Sequence, residues 1–228
     1  YTPSDIAVTS EELYVLDIVA HGMKVYDLRT GKLNRSFGEP GKGPGLYNRP
    51  SNMDIGPDGS LYVCDSFNFR VQKLTPEGKP LFQFGGPGRS FGFFSRPRGI
   101  AVDRDGIVYV ADAHMGIVQL FDQQGRPLMH FGESGTDPGK LYLPAQIAID
   151  YDNVELFRKY ISPDFKAKYL VYVTSQIGPH KVSVYAFGEG PGAEAPPDVR
   201  RPKAPTPAPT TTPPRKSGGE PEATREGK

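Results

Sequence analysis

The sequence contains a single cysteine, Cys64, and no apolar run that approaches the roughly 18 residues of a membrane-spanning helix. One cysteine excludes an intrachain disulfide and any multi-cysteine zinc or haem-attachment motif. Neither sign of charge is in excess, because 27 Lys and Arg stand against 26 Asp and Glu in 228 residues. This balance excludes a strongly basic nucleic-acid wrapper and an acidic solvating protein. No HExxH, GxSxG or CxxCH motif occurs, and we expect no cofactor.

Composition changes after Gly190. All 25 Phe and Tyr residues precede that point, whereas residues 191–228 contain ten prolines and have Val199 as their only Val, Ile, Leu or Phe. Such a segment cannot bury enough apolar surface to offset the entropy lost on ordering it. We therefore predict one folded domain over residues 1–190 and a disordered Pro/Thr-rich tail over 191–228. The tail would be a solvated extension, or else a spacer or docking arm.

A period of 47 residues runs through the predicted domain. Prolines, Phe-Gly pairs and single glycines all recur at this step. The markers are Pro3, Pro50, Pro97 and Pro144; Phe37-Gly38, Phe84-Gly85 and Phe131-Gly132; and Gly45, Gly92 and Gly139. They divide the domain into units at residues 3–49, 50–96, 97–143 and 144–190. A period of this length fits a propeller blade or a helix pair of the HEAT type.

The local pattern within each unit favours the blade. Each unit opens with two apolar residues two positions apart, such as Ile100 and Val102, which is typical of a strand. Asp-Gly pairs suited to tight hairpins follow in the second and third units, and runs rich in Val, Leu and Tyr follow in all four. The sequence therefore predicts an all-β propeller with four short antiparallel strands in each blade.

The third unit resembles the NHL-repeat family of β-propellers. The resemblance rests on residues 97–103, 106–112 and 118–121 and on Phe131-Gly132. The second unit matches nearly as well, the first is looser, and the fourth carries an insertion and ends after its third strand. The family usually closes with six blades, so about two further blades are expected before Tyr1. Pairing with a second chain, and so self-association, is one alternative, and closure with four blades is another.

The loops after the fourth strands are long and alike, and we expect them to form one face together with the loops after the second strands. Basic residues there stand beside aromatic ones, a combination that can hold an anionic chain by charge and stacking. The candidate residues are Lys42, Tyr47, Arg49, Phe69, Arg70, Arg89, Phe94, Arg96, Arg98, Lys140 and Tyr142. Alternatively, the aromatic side chains fill gaps between blades and the arginines are solvated.

The case for a metal site is weak. His21 and His114 are placed alike, four residues before Val25 and Val118, and His180 is the remaining candidate ligand. The family resemblance includes a zinc-dependent lyase whose histidines meet at the central channel. No third ligand stands at matching spacing in this sequence, so no metal site is predicted.

Aspartates end the second strands of the first three units. A carboxylate at that place can accept backbone N–H bonds and shape the following loop. The residues are Asp17, Asp65 and Asp112. We predict that their role is structural.

The fourth unit carries about fifteen extra residues between its first and second strands, within residues 153–169. Val154, Phe157 and Ile161 fall at helical spacing, and Pro163 would end a helix there. The insertion should lie on the side opposite the long loops. It is either a cap or a partner-docking element.

Together these features predict a non-enzymatic propeller that serves as a rigid binding or scaffold platform for a protein or polymeric partner. A location outside the cytoplasm is expected from the Pro/Thr-rich tail and the scarcity of cysteine. Two alternatives stay open. One is a metal-dependent lyase or hydrolase at the central channel. The other is RNA binding on the long-loop face, which the resemblance implies because RNA-binding members of the family use the corresponding face.

Overall fold

Within each sheet of this computed structural model, which describes residues 2–191, strands that are adjacent in sequence pair with one another. The predicted all-β propeller of antiparallel blades is confirmed. Apart from Pro191, the predicted tail at 191–228 lies outside the described residues. No helix in the described part of the chain is long and apolar enough to cross a membrane.

The first two blades each contain four antiparallel strands. The first blade has β1 (Pro3–Val8), β2 (Glu12–Asp17), β3 (Gly22–Asp27) and β4 (Leu33–Phe37). The loop that follows holds a short parallel pair, β5 (Glu39–Pro40) and β6 (Leu46–Tyr47). The second blade has β7 (Met53–Ile55), β8 (Leu61–Asp65), β9 (Arg70–Leu74) and β10 (Pro80–Gly85), with a 3₁₀ turn at Ser66–Asn68.

The third blade repeats this plan, and the fourth has three strands. The third blade has β11 (Pro97–Val102), β12 (Val108–Asp112), β13 (Ile117–Phe121) and β14 (Pro127–Phe131). The fourth has β15 (Pro144–Asp150), β16 (Lys166–Ser175) and β17 (Val182–Glu189). The sequence predicted a later start for β16, near Leu170. The strand is longer because residues 166–169 also pair with the end of β17.

Apolar side chains are buried between successive blades. Tyr14 and Leu16 of the first blade pack in one cluster with Leu61 and Val63 of the second. The same strand positions form the next two clusters, which contain Tyr62 and Cys64 with Val108 and Val110, and Tyr109 and Ala111 with Val171 and Val173. Each fully buried Val or Leu contributes roughly 2 kcal/mol by removing apolar surface from water. Cohesion therefore lies in the contacts between neighbouring blades.

The outer sides of the first and last blades have no neighbouring blade among the described residues, and their apolar side chains are more exposed than the equivalent ones elsewhere. Ile6 in β1 is 60% exposed, whereas Met53 at the same position of the second blade is 3% exposed. Val182 in β17 is 53% exposed, whereas Met23 at the corresponding position in β3 is 2% exposed. Both strands present apolar side chains whose equivalents are buried where a neighbouring blade is present. Self-association through these sides stays a prediction.

The insertion in the fourth blade forms a 3₁₀ helix at Val154–Tyr160. Val154, Phe157 and Ile161 are half-buried, and the ring of Phe157 lies 6.0 Å from that of Tyr172 in β16. Of these predicted docking residues, Phe157 therefore packs against the blade. The outward side chains belong instead to two residues that the sequence pattern did not single out, Leu156 (71% exposed) and Tyr160 (75% exposed).

Buried aspartates join the first two long loops to the blades that follow them. Asp65 accepts a hydrogen bond from the backbone N–H of Asn48 at 2.7 Å, and Asp112 accepts one from Ser95 at 2.6 Å. In the first blade Asp17 accepts bonds from Thr2, Val19 and Ala20. The fourth blade has Ser175 at this position, and its hydroxyl accepts a bond from the N–H of Tyr142 at 3.2 Å. The predicted structural role of the aspartates agrees with these contacts.

Asp65 also neutralises a buried arginine. Its carboxylate lies 2.8 Å from Nε of Arg70, whose side chain is 8% exposed. The same guanidinium donates to the carbonyls of Lys42, Gly43 and Leu46 in the long loop. Arg70 was predicted to contribute to the binding face. The prediction is wrong because the Arg70 side chain is buried, and its hydrogen bonds to these carbonyls hold the long loop in place.

Asp65→Ala is expected to lower the free energy of unfolding by about 3 kcal/mol or more, since it leaves the buried Arg70 charge without its carboxylate. Urea denaturation of the full chain measures the effect. Glu189→Gln is the control, because Glu189 pairs with Lys168 where both side chains are more than half exposed. The control should leave the urea midpoint unchanged. Equal losses in the two variants would contradict the assignment.

Candidate functional site

The long loops and the loops after the second strands lie at one end of the blades, as the aspartate contacts between them require. We call this end the long-loop face. It consists of residues 38–49, 86–96 and 132–143 with the loops at 18–21, 66–69, 113–116 and 176–181. Each long loop folds back through a short parallel contact. The equivalent pairs are Pro40–Tyr47, Pro87–Phe94 and Ser134–Leu141, at steps of 47 residues.

Two aromatic candidates for this face are buried. Tyr47 and Phe94 are both 0% exposed and belong to the clusters between blades. The prediction that they line the binding surface is wrong, and the alternative that aromatic side chains fill gaps between blades is what the structure shows for them. Leu141, at the third equivalent position, is likewise 0% exposed. The side chain at this position fills the gap between two blades, which requires a large side chain but no polar group.

Tyr47 carries a hydroxyl that the site does not satisfy. That oxygen is buried without a hydrogen-bond partner among the described residues, and burial raises the pKa of the phenol. Phe94 shows that the repeat accepts the ring without the hydroxyl. An unpaired buried hydroxyl costs free energy because its bonds to water are lost.

Tyr47→Phe is therefore expected to raise the free energy of unfolding by about 1 kcal/mol. The reciprocal change Phe94→Tyr, which introduces the same group at the equivalent position, is expected to lower it by a similar amount. Thermal melting followed by circular dichroism measures both. A lower melting temperature for Tyr47→Phe would mean that its hydroxyl is hydrogen-bonded in solution.

The other candidates separate by exposure. Phe69 is half-buried and packs against the cluster between the second and third blades. Lys140 is partly neutralised within its own loop by Glu133 and Asp137, at 3.6 and 3.5 Å. The candidates that are exposed on the face are Lys42, Arg49, Arg89, Arg96 and Tyr142, while Arg98 is half-buried.

Arg49, Arg96 and Arg98 converge on one cavity of about 290 Å³. The remaining walls are Ile18, Ser51, Ser66 and Phe67, so that residues of the first three blades line it. Burial, and then the charge of Arg96, lowers the pKa of Arg98. Within residues 2–191 none of the three guanidinium groups forms an ion pair or a hydrogen bond. The cavity is therefore positively charged and has no carboxylate of its own.

The backbone beneath these arginines is held in place. The N–H of Arg49 donates to Nδ1 of His21 at 3.0 Å, and the N–H of Arg96 donates to Asp112 at 3.1 Å. The hydroxyl of Ser51 donates to the carbonyl of Arg98 at 2.9 Å, which fastens β11 to the second blade. The guanidinium groups therefore extend from a fixed frame, as anion recognition requires.

Phe67 is the aromatic residue of this cavity that sequence reasoning missed. Its ring is 50% exposed, and the guanidinium carbon of Arg49 lies 5.6 Å from the ring centre. Phe67 stands two residues after Asp65, and Val19, which is 58% exposed, stands two residues after Asp17. Counting from the aspartates would have identified this outward position, whereas the presence of an aromatic residue alone did not distinguish Phe67 from Phe69.

Comparison with known proteins agrees with this geometry. The family model described as the NHL repeat matches residues 94–121. The fold is similar to a nidogen/laminin complex structure, with a TM-score of 0.58 and 15% identity over 80% of this chain and 60% of the other. Residues 94–121 match the NHL repeat, and the chain has the fold of an NHL-repeat β-propeller.

Two further solved structures share the propeller fold. A catalytically inactive virginiamycin B lyase from Staphylococcus aureus with quinupristin has a TM-score of 0.54 and 15% identity, over 84% of this chain and 57% of the other. Hydrazine synthase of Kuenenia stuttgartiensis has a TM-score of 0.55 and 19% identity, over 82% and 46%. The chain spans about half the length of these structures, and identities this low carry the fold alone.

The described residues contain no group of three or more His, Cys, Asp or Glu side chains that could hold a metal ion. Strand pairing also corrects the alignment of His21 with His114. Because Asp17 pairs with Gly22 and Asp112 with Ile117, His21 corresponds to Gly116. That position takes a left-handed backbone, with φ of 55° at His21 and 71° at Gly116. His180 is exposed in the loop before β17.

The innermost strands of the NHL propeller carry two half-buried carboxyl groups. Asp5 accepts a hydrogen bond from the N–H of Met53 at 2.9 Å, and Asp54 accepts one from Val102 at 2.7 Å. Each bond crosses from one blade to the next. Burial is the largest effect on both and raises the pKa of each carboxyl group, and the charge of Asp5 raises that of Asp54 further.

A raised pKa in the folded state means that the fold binds these protons more tightly than the unfolded chain does. Stability from this source increases as pH falls from the raised values toward the usual value near 4. Asp54→Asn, which keeps an oxygen acceptor for Val102, should therefore be at least as stable as the parent near pH 7. This advantage should shrink near pH 4, in urea midpoints measured at the two pH values.

Glu12 provides the opposite sign as a control. Its hydrogen bond with Arg35 is the main reason that its pKa is lowered to about 2. Its stabilising effect is present above its usual pKa near 4.5 and disappears as pH falls toward 2. Glu12→Gln should therefore be less stable than the parent near pH 7. If Asp54→Asn behaves like Glu12→Gln, the burial argument is wrong.

Proposed function

We propose that this NHL propeller is a non-enzymatic platform that binds a protein partner on its long-loop face. The observation that carries the proposal is the concentration of exposed aromatic rings and unpaired arginines on that face. Aromatic and arginine side chains are the groups that contribute most to binding at protein interfaces.

The exposed rings are distributed over several loops of the face. Phe67 follows β8, Phe91 and Phe93 belong to the second long loop, and Tyr142 ends the third. Their exposed fractions lie between 40% and 50%. Each ring therefore offers apolar area while its inner part rests on the loop. A partner would bury the remainder.

The scaffold beneath the face is suited to binding with little loss of entropy. The carboxylates of Asp65 and Asp112 hold the ends of the connections into the second and third blades. Arg70 holds the interior of the first long loop through three carbonyl groups. Loops fixed in this way lose less conformational freedom when a partner binds, which favours affinity.

A protein partner agrees better with the charge than a nucleic acid does. Residues 1–190 contain 20 Lys and Arg against 21 Asp and Glu, so the propeller carries no excess of positive charge. Binding to nucleic acid depends on many phosphate contacts from a basic surface. One similar structure is a complex of nidogen and laminin, which is consistent with a propeller of this architecture acting in a protein complex.

A random linear peptide library displayed on phage and selected against the full chain tests the proposal. The double variant Phe67→Ser/Phe93→Ser should weaken selected peptides by about tenfold or more, because it removes aromatic anchors. Leu156→Ser/Tyr160→Ser, on the insertion, is the matched control and should change affinity by less than about twofold. If only the control variant loses binding, the binding site lies on the insertion and the proposal for the long-loop face is contradicted.

The extracytoplasmic location stays a prediction. Secretion of the protein in its source cells, followed with an antibody against the propeller, would test it independently of the binding surface.

A further inference from the structure

We infer that the cavity lined by Arg49, Arg96 and Arg98 is a subsite for an oxyanion carried by an acidic peptide segment of the partner. The inference deepens the proposed function and rests on it, because it assigns the chemistry that one part of the long-loop face recognises. It depends on three independent observations, which concern charge, shape and the groups beside the cavity.

The first observation is the unbalanced charge. Three other arginines of the propeller have carboxylate partners: Arg35 pairs with Glu12, Arg70 with Asp65 and Arg126 with Asp122. The three cavity arginines have none within the part of the chain that the structure describes. Bringing like charges together beside a half-buried group raises the free energy unless an anion offsets it. A bound oxyanion supplies that compensation.

The second observation is that the three groups come from different segments and still meet. Arg49 ends the first long loop with φ of 50°, a left-handed backbone uncommon for a side-chain-bearing residue. Arg96 ends the second long loop, and Arg98 lies in β11. The backbone bonds to His21, Asp112 and Ser51 fix these three segments. Guanidinium groups held in this way can donate paired hydrogen bonds to a carboxylate or phosphate.

The third observation identifies a peptide as the carrier of the anion. Phe67 and Ile18 form apolar walls of the same cavity. A volume of about 290 Å³ accommodates one acidic side chain with an apolar neighbour and does not form a track for a polymer backbone. Fewer aromatic rings are also accessible for stacking with nucleic-acid bases, because Tyr47 and Phe94 are buried. An acidic residue next to an apolar one matches the cavity in both charge and surface.

Direct titration of the full chain tests the inference with defined probes. The probes are a synthetic peptide of alternating Glu and Leu, its Gln-for-Glu counterpart, the same peptide with phosphoserine for one Glu, and a single-stranded RNA oligonucleotide. We expect the acidic peptide to bind at least about tenfold more tightly than the Gln peptide, since charge-assisted hydrogen bonds are lost in the latter. Comparison of the Glu and phosphoserine peptides shows whether the oxyanion is carboxylate or phosphate.

Variants locate the binding. Arg98→Gln and Arg49→Gln should each weaken the acidic peptide by about tenfold or more, and Arg98→Lys should recover only part of the loss because it cannot form the paired donor geometry. Arg29→Gln is the matched control, an exposed arginine in the turn between β3 and β4 and outside the long-loop face, and should have less than about a twofold effect. Melting temperatures establish that each variant is folded.

Several outcomes would overturn the inference. They are no binding of either acidic peptide, equal binding of the Glu and Gln peptides, an equal effect of Arg29→Gln, or RNA that binds more tightly and loses affinity in the same arginine variants. If library-selected peptides need Phe67 and Phe93 but tolerate Arg98→Gln, the proposed binding platform is supported and only the anion subsite is contradicted. If the selected peptides also tolerate Phe67→Ser/Phe93→Ser, both the platform on the long-loop face and its anion subsite are contradicted.

Discussion

Contact between facing blades is the interaction on which this molecule depends. Each sheet has two apolar sides, and a short four-stranded sheet cannot cover either by itself. The clusters that contain Tyr14 with Val63, Tyr62 with Val110, and Tyr109 with Val173 use equivalent positions. The 47-residue period is the sequence expression of this requirement, since every blade must offer the same two surfaces to its neighbours.

The position of the binding face follows from how the blades are linked. A connection into the next blade must pass over the end of the preceding sheet, and buried carboxylates hold it there. Asp112 receives N–H bonds from Ser95 and Arg96, so the same group that ends a strand also fixes the base of a cavity arginine. Structural and functional roles are therefore adjacent in the chain: the aspartates are buried, and the side chains that leave the loops above them reach solvent.

Several features could be read from the sequence because they depend on local chemistry or on repetition. Alternating apolar residues gave the strands, and the period gave their grouping into blades. The carboxylates at strand ends were recognisable because such residues commonly accept backbone N–H bonds. The shared face of Arg49, Arg96 and Arg98 was predicted from repetition, because their positions in the 47-residue repeat place them in or beside the long loops.

Other features could not be read in this way. Tyr47 and Tyr142 both lie in long loops, yet one is fully buried and the other exposed. The reason is that Tyr47 occupies the inward position that Leu141 has in the third loop, whereas Tyr142 stands one residue further along. Arg70 and Arg98 each lie at the beginning of a strand, yet only Arg70 meets a carboxylate. In the insertion, helical spacing identified a side chain that anchors the segment and missed Leu156 and Tyr160, which face outward.

The amino-acid sequence by itself determined the repeating unit, the strand order within it and the chemical character of each end of the blades, since these follow from residue periodicity and turn-forming residues. Tertiary structure decided which side chains are buried between blades and which three arginines meet without a carboxylate. Those outcomes depend on distances between segments 47 residues apart, and such distances are set only when neighbouring blades pack.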